Sequence, residues 1–230
     1  MSSRHLLLLH GALSTAGQFD PLIPHLSDAF TLHRLTFDGH GDAPVGELGF
    51  TNAAFVQNVL DYLDAHRLAE VDIFGYSMGG YIACLVARSH PSRVRRIATL
   101  GTKYLWDEGA LTREFRFLDP DIIRQKVPHF AQSLAQRHIA LGWERVLALM
   151  KDVMRENAAT GGLTPEWMSQ LEQPLRIIVG DRDTTAGVID SYRVFQALQQ
   201  GQFEVLPQTP HPFEKVAMPK LAQSLNEFFL

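Results

Sequence analysis

Short, nearly continuous apolar runs recur along the chain, separated in most cases by stretches with helical periodicity. In residues 52–66 and 188–198, apolar side chains recur at the spacing of one helix face. Strands that are covered on both faces are apolar throughout, because every side chain meets a neighbouring layer. The pattern predicts an α/β protein, with a mainly parallel sheet covered by helices on both faces and strands near residues 6–9, 32–37, 71–74, 97–100, 175–179 and 203–206.

One interval, residues 103–172, interrupts this alternation. It has helical periodicity and no convincing strand, and it contains all three tryptophans, Trp106, Trp143 and Trp167. An insertion of this length between consecutive strands forms either a second helical layer or a lid over a site. The adjacent Gly161 and Gly162 are the best candidates for a turn or hinge within it.

Composition and charge narrow the class of protein. With 230 residues, 46% apolar and 20% charged, the chain can bury one substantial core and is not typical of a disordered protein. A formal net charge of −4, with scattered Lys and Arg, gives no electrostatic reason to expect nucleic acid or a membrane as partner. The single cysteine, Cys84, is expected to be a buried thiol and fits a reducing compartment. Only four leucines follow Arg4 and His5, so we expect no signal segment and a cytoplasmic location.

The segment 75–80, GYSMGG, lies between a predicted strand and a predicted helix. A G-x-S-x-G pattern in this setting indicates a sharp strand-to-helix turn that holds the serine in a strained backbone conformation with its hydroxyl exposed. Glycines at positions 75 and 79 remove Cβ atoms from the crowded side of the turn. Ser77 is therefore the candidate nucleophile.

A serine hydroxyl needs a base, and the base needs a third group to hold it in one tautomer. Loops that follow the strands of a parallel sheet converge on one edge, which selects candidates by position. His211 follows the last predicted strand between two prolines and is the candidate base. Either Asp181 or Asp183, after the preceding strand, could orient it. We favour Asp183, because Asp181 lies nearer the strand end and can cap the turn or pair with Arg182.

Two backbone N–H groups are expected to stabilise the oxyanion. One is the amide of Met78 at the start of the helix, where N–H groups lack partners. The other comes from the loop after the first strand, from Ala12 or alternatively from Leu13. His10 is expected to fix this loop by hydrogen bonding rather than to act as the base. The segment 38–42, DGHGD, combines acids with a histidine, but the spacing of the remaining His and Asp residues does not indicate a metal site.

In chain order, these residues resemble the α/β-hydrolase family: His10 and Gly11 after a strand, the GYSMGG segment, residues 180–183 and then His211. The resemblance covers essentially the whole chain. It implies Ser77 as nucleophile, Asp183 as acid, His211 as base, and a helical cap. The expected division is a core of residues 1–102 and 166–230 with a cap at 103–165. The chain departs from the family pattern in that the antiparallel N-terminal strand pair common there is not evident, so the sheet should be shorter.

We therefore expect a serine hydrolase that cleaves a small, mainly apolar carboxylic ester through an acyl-enzyme, with no cofactor and no metal. Trp106, Tyr104 and Trp143 are the expected substrate contacts, because the insertion is rich in aromatic residues. The same triad and fold serve C–C bond hydrolases, thioesterases, acyltransferases and lyases, which stay open as alternatives. A ligand-sensing binding protein with little turnover is the rival of another class. The sequence does not indicate the oligomeric state.

Overall fold

The apolar runs form the strands of a single sheet. The computed structural model describes residues 4–230 and contains β1 (Arg4–Leu9), β2 (Phe30–Leu35), β3 (Val71–Tyr76), β4 (Val94–Leu100), β5 (Leu175–Gly180) and β6 (Gly201–Leu206). The strand order is β2-β1-β3-β4-β5-β6, and all five neighbouring pairs are parallel. The predicted α/β class with a mainly parallel sheet is confirmed.

Alternate residues of the central strands enter two different apolar cores, as the pleat of a strand requires. Leu7 and Leu9 of β1 pack on one face, whereas Leu6 and Leu8 pack on the other. The nine helices of the described residues are α1 (Asn52–Ala65), α2 (Met78–Ser89), α3 (Glu108–Phe117), α4 (Pro120–Lys126), α5 (Pro128–Arg137), α6 (Trp143–Ala159), α7 (Pro165–Met168), α8 (Val188–Phe195) and α9 (Met218–Phe229). The first face is covered mainly by α1, α2 and the helices between β4 and β5, and the second mainly by α9 and the turns that follow β1.

The second strand begins and ends two residues earlier than the apolar run predicts. Phe37 is fully buried, but its amide donates to the His10 side chain at 3.1 Å instead of continuing the sheet. Its ring packs against Phe55 of α1, with centroids 5.2 Å apart. Phe37 is therefore apolar because the loop after β2 is packed under a helix.

The segment between β4 and β5 is largely helical, as the sequence predicts, and the residues near its start contact the turn that follows α6. Gly161 and Gly162 form a turn after α6, with φ of 75° and 81°. Gly162 forms an isolated antiparallel bridge with Leu105, and the amide of Leu163 donates to the Tyr104 carbonyl at 2.9 Å. A Cβ at position 162 would lie 2.1 Å from that carbonyl oxygen, so the close approach requires glycine.

Our assignment of residues 103–165 as a cap remains a prediction, and α7 crosses its C-terminal limit. No helix in residues 4–230 combines the length and apolar character needed to cross a bilayer.

Candidate active site

Ser77 lies at the sharp turn between β3 and α2. Its backbone adopts φ 51° and ψ −115°, a region that costs free energy for any residue with a side chain. Its amide donates to the Leu100 carbonyl of the neighbouring strand at 2.9 Å, which helps to hold the strained residue in place. A Cβ at Gly79 would lie 2.0 Å from the Leu9 carbonyl oxygen, and one at Gly75 would lie 2.4 Å from the Gly80 nitrogen. Glycine at both positions thus permits the turn to pack directly against β1 and α2.

Three side chains from distant parts of the sequence form a hydrogen-bonded chain at this turn. Nε2 of His211 lies 3.3 Å from Oγ of Ser77, and Nδ1 of His211 lies 2.9 Å from Oδ2 of Asp183. The Asp183 side chain is only 2% exposed and that of His211 22%. The arrangement has the order and spacing in which a carboxylate orients an imidazole and the imidazole removes the proton of a hydroxyl.

The two candidate aspartates have different positions in the structure. Oδ1 of Asp183 accepts the amides of Thr185 and Ala186, both at 2.9 Å, which leaves Oδ2 for His211. Asp181 is exposed, and its Oδ1 accepts the Thr209 amide at 3.1 Å. Hydrogen bonds from backbone amides, chiefly that of Gln208, lower the pKa of Asp181. Asp181 therefore supports the loop that carries His211, and only Asp183 reaches the imidazole.

Two residues that the sequence did not single out shape the surroundings of His211. The Tyr76 hydroxyl, at the end of β3, donates to the His211 carbonyl at 2.7 Å. Burial raises the pKa of Tyr76, so this group stays protonated and can donate. Gly101, directly after β4, has φ of 61°, and a Cβ there would lie 3.0 Å from Oδ2 of Asp183 and 3.3 Å from Nδ1 of His211. The sequence signal that could have identified Gly101 is a glycine directly after the strand that pairs with the nucleophile strand.

Backbone amides border the same space. Ala12, Leu13 and Met78 all line the cavity above Ser77. Met78 is the first residue of α2, where amides have no intrahelical acceptor. Within residues 4–230, no acceptor pairs with the amide of Ala12 or that of Leu13. The residues of the predicted oxyanion donors thus border the cavity, and Leu13 is still an alternative to Ala12 as the second donor.

Three buried histidines, His10, His40 and His138, lie behind the loop that carries Ala12. His10 is fully buried; its Nδ1 donates to the Gly11 carbonyl at 2.7 Å, and its Nε2 accepts the Phe37 amide. His40 donates from Nδ1 to the Asp38 carbonyl at 3.2 Å, and its ring centroid lies 5.1 Å from that of His10. Burial lowers the pKa of His10 to about 4 and also lowers those of His40 and His138. His10 therefore holds the loop by hydrogen bonds as a neutral group, as the sequence indicates, and it is not among the residues that line the cavity above Ser77.

A cavity of about 960 Å³ lies over Ser77 and His211. Part of its wall comes from the segment between β4 and β5 and includes the apolar side chains of Trp106, which precedes α3, Phe117 and Phe130. The lining also contains charged residues of both signs, which the sequence did not predict: Lys103, Glu114, Arg137, Arg182 and Glu214. Nζ of Lys103 lies 3.9 Å from Oε1 of Glu114, and burial raises the pKa of Glu114. The cavity is apolar over much of its wall, with a buried ion pair near the triad.

Of the three aromatic residues expected to contact substrate, only Trp106 lines the cavity. Tyr104 is buried in the core, where its hydroxyl lies 2.6 Å from Oγ1 of Thr99. Trp143 begins α6, is buried, and packs beneath the Arg124 guanidinium, 5.1 Å from the ring centroid. Both side chains are used for packing, so their expected role as substrate contacts is not supported by the geometry.

Comparison with known proteins gives matches of two kinds. Pimeloyl-[acyl-carrier protein] methyl ester esterases are 32% identical over 94 residues in Neisseria meningitidis serogroup B (strain H44/76) and 29% identical over 140 residues in Klebsiella pneumoniae (strain 342). These matches cover 41% and 60% of this chain, and 34% and 51% of the relatives, so the chain spans about a third to a half of their length.

In structure, 2-hydroxy-6-oxo-6-phenylhexa-2,4-dienoate hydrolase from Rhodococcus sp. strain RHA1 superposes with a TM-score of 0.81 over 99% of this chain and 90% of that one, at 20% identity. This likeness shows a shared fold. The model of a protein family described as alpha/beta hydrolase fold matches residues 4–173 of this chain. The family predicted from the sequence is confirmed: the chain belongs to the α/β-hydrolase fold family.

Proposed function

We propose that this protein is a serine hydrolase that cleaves a small, mainly apolar carboxylic ester through an acyl-enzyme on Ser77. The observation that carries the proposal is the hydrogen-bonded chain from Asp183 through His211 to Ser77, which opens into the cavity. The esterases among the relatives act on an ester bond by name, which agrees with this reaction class.

In the first half of the reaction, the Ser77 hydroxyl gives its proton to Nε2 of His211 while Oγ attacks the carbonyl carbon of the ester. Asp183 accepts a hydrogen bond from Nδ1–H of His211 and stabilises the imidazolium. The carbonyl oxygen becomes an anion that accepts hydrogen bonds from the amides of Met78 and Ala12. Collapse of this intermediate breaks the ester C–O bond, and His211 returns its proton to the departing alcohol.

In the second half, water takes the place of the alcohol. His211 removes a proton from water, the hydroxide oxygen attacks the acyl carbon, and the same amides stabilise the second anion. Collapse releases the carboxylic acid and returns the proton to Oγ of Ser77. The chain, the ester and water supply every proton and electron pair in this cycle.

The cavity limits the substrate class. Its volume of about 960 Å³ lies within the range of small-molecule sites. Trp106, Phe117 and Phe130 offer apolar contacts to an acyl chain, whereas the charged residues of the lining, three basic and two acidic, offer polar ones. We therefore propose an acyl substrate that is mainly apolar and also tolerates one anionic or hydrogen-bonding group. The cytoplasmic location predicted from the sequence remains part of the proposal.

A lyase on the same triad is the second candidate. A protein of Bacillus subtilis (strain 168), provisionally named 2-succinyl-6-hydroxy-2,4-cyclohexadiene-1-carboxylate synthase, is 25% identical over 252 aligned positions and matches all of this chain and 91% of that protein. The carboxylate in that name suits a cavity that contains Lys103 and Arg137. A lyase need not form an acyl-serine, which separates the two candidates.

The decisive experiment is to identify a covalent intermediate on the whole protein. Purified wild type is mixed with a panel of p-nitrophenyl esters, thioesters and carboxylate-bearing esters, and with a fluorophosphonate probe, and the labelled peptide is identified by mass spectrometry. We expect ester hydrolysis and labelling of Ser77. Ser77→Ala should abolish labelling and lower kcat by several orders of magnitude. Ser89→Ala, an exposed serine at the other end of α2, is the matched control and should behave as wild type.

Two results would contradict the proposal. Ester hydrolysis that persists at the wild-type rate in Ser77→Ala would exclude Ser77 as the nucleophile. A wild-type protein that neither hydrolyses the panel nor reacts with the probe, yet binds acyl compounds, would favour the ligand-sensing alternative.

A further inference from the structure

Helix α5 contacts the loop that carries the expected oxyanion donors. The Leu13 carbonyl accepts two hydrogen bonds from the end of this helix: one from Nη1 of Arg137 at 2.6 Å and one from Nε2 of His138 at 3.1 Å. These contacts span 124 and 125 residues of sequence. They connect the helical segment between β4 and β5 directly to the rim of the cavity.

Hydrogen bonding fixes the tautomer of His138. The Gly41 amide donates to Nδ1 at 3.0 Å, so Nδ1 has no proton and Nε2 carries the proton that it donates to Leu13. Burial lowers the pKa of His138, which favours this neutral form. His138 thus connects three elements: α5, the loop after β2 that contains Gly41, and the loop after β1 that contains Leu13.

The Leu13 carbonyl is a sensitive point at which to hold the loop. Leu13 has φ of 61°, a left-handed conformation that is unfavourable for a leucine. Hydrogen bonds to its carbonyl stabilise that conformation, and with it the direction of the amides of Ala12 and Leu13. Oxyanion stabilisation requires donors at a precise position, and a misplacement of 1 Å can cost about 10²-fold in rate.

We propose that His138, assisted by Arg137, positions the oxyanion loop from α5, so that efficient ester hydrolysis requires this helix to be docked. The proposal rests on the proposed function, since it assigns the loop amides to the oxyanion. His138 is 1% exposed and does not line the cavity, so its effect passes through Leu13 and not through substrate contact. His138 is a positioning residue in this sense.

The test compares His138→Ala with His138→Gln. Alanine removes both hydrogen bonds, whereas a glutamine amide offers one donor and one acceptor to the same partners. We expect kcat for a short p-nitrophenyl ester to fall about 10- to 100-fold in His138→Ala, with KM changed less than about threefold. His138→Gln should recover most of the lost rate. His129→Ala, an exposed histidine on the same helix, is the matched control and should keep wild-type kinetics.

A second readout separates positioning from general loss of structure. A trifluoromethyl ketone forms a tetrahedral adduct with the serine and places an oxyanion in the hole, so its affinity should fall in parallel with kcat/KM. If His138→Ala does not fold, Arg137→Met removes the second bond to the Leu13 carbonyl. With an acetate ester, which is short, this variant should also show reduced kcat and reduced ketone affinity.

The inference is overturned if folded His138→Ala, or folded Arg137→Met where the alanine variant is unusable, retains wild-type kcat and ketone affinity. It is equally overturned if kcat falls in His138→Ala while ketone affinity stays unchanged. Failure of the proposed function gives a different result, because wild type itself would then neither hydrolyse esters nor bind the ketone covalently.

Discussion

His10 should make the stability of this protein depend on pH between about 4 and 6.5. The side chain is fully buried, and burial is the main reason that its pKa falls from 6.5 to about 4. The neighbouring His138 and Arg137 lower the pKa further, and the hydrogen bond to Gly11 opposes the shift. The His40 ring also packs against His10, and burial lowers the pKa of His40 as well. The side chains that affect the pKa of His10 are thus neutral or cationic.

The direction follows from proton binding in the two states. Between pH 6.5 and about 4, His10 is protonated in the unfolded chain but neutral in the folded protein, so acid favours unfolding. The contribution of neutral His10 to the free energy of unfolding is fully present above pH 6.5 and is lost as pH falls toward 4. A shift of this size corresponds to about 3 kcal/mol, since each pKa unit is worth roughly 1.4 kcal/mol. His40 and His138 have shifts of the same sign and add to the effect.

The assay is urea unfolding at a series of pH values from 7.5 to 4.5, comparing wild type with His10→Gln. Glutamine can donate to Gly11 and accept from Phe37 but does not titrate. We expect the variant to lose about 2.5 kcal/mol less than wild type over this range, whatever its stability at pH 7.5, because pH 4.5 lies above the folded-state pKa of about 4. His25→Gln, at an exposed histidine, is the control and should lose as much as wild type. Equal pH dependence in His10→Gln and wild type would refute the reasoning.

Three further results are expected. Asp183→Asn should lower kcat about 10⁴-fold because the imidazole loses its orienting carboxylate, whereas Asp181→Asn should cost far less; steady-state kinetics on an ester checks both, and equal losses would contradict the assignment. Trp106→Ala should alter acyl-chain-length preference more than Tm, because Trp106 lines the cavity. Tyr104→Phe should lower Tm more than it alters chain-length preference, because the buried Tyr104 hydroxyl bonds to Thr99. Kinetics on a series of acyl chain lengths and thermal melts of both variants check this, and the opposite pattern would contradict it. Burial raises the pKa of the Cys84 thiol to about 12, so it should react with a disulfide reagent at pH 8 only in denaturant, and rapid reaction of native protein would disprove its burial.

The fold could be predicted from the sequence because its signals are local. Strands buried on both faces must be apolar throughout, and the six runs in the sequence correspond to the six strands of the sheet. The strand predicted at residues 32–37 lies at Phe30–Leu35 in the structure, because Phe37 is apolar for its packing against a helix and not for pairing in the sheet. Phe37 is buried by Phe55 and hydrogen-bonded to His10, neither of which a local pattern can show.

The positions of Ser77, Asp183 and His211 were predictable for a related reason. Each follows a strand of a parallel sheet, and such strands end at the same edge, so chain order alone brings the three side chains together. Tyr104 and Trp143 show the limit of this argument. An aromatic residue in an inserted helical segment can face the cavity or the core, and its sequence neighbours do not distinguish the two.

The contacts that complete the site could not be predicted because they depend on how separate elements pack together, and local sequence patterns do not show this packing. Nothing near His138 in the sequence indicates that its ring receives the Gly41 amide and donates to the Leu13 carbonyl. The pair formed by Lys103 and Glu114 is similar, because a glutamate within a helix most often faces water. Burying such a pair rarely stabilises a fold, since the desolvation penalty can exceed the attraction. Nζ of Lys103 also donates to the Thr185 carbonyl at 2.9 Å, so tertiary contacts hold this charge in the cavity wall, and apolar periodicity carries no information about such contacts.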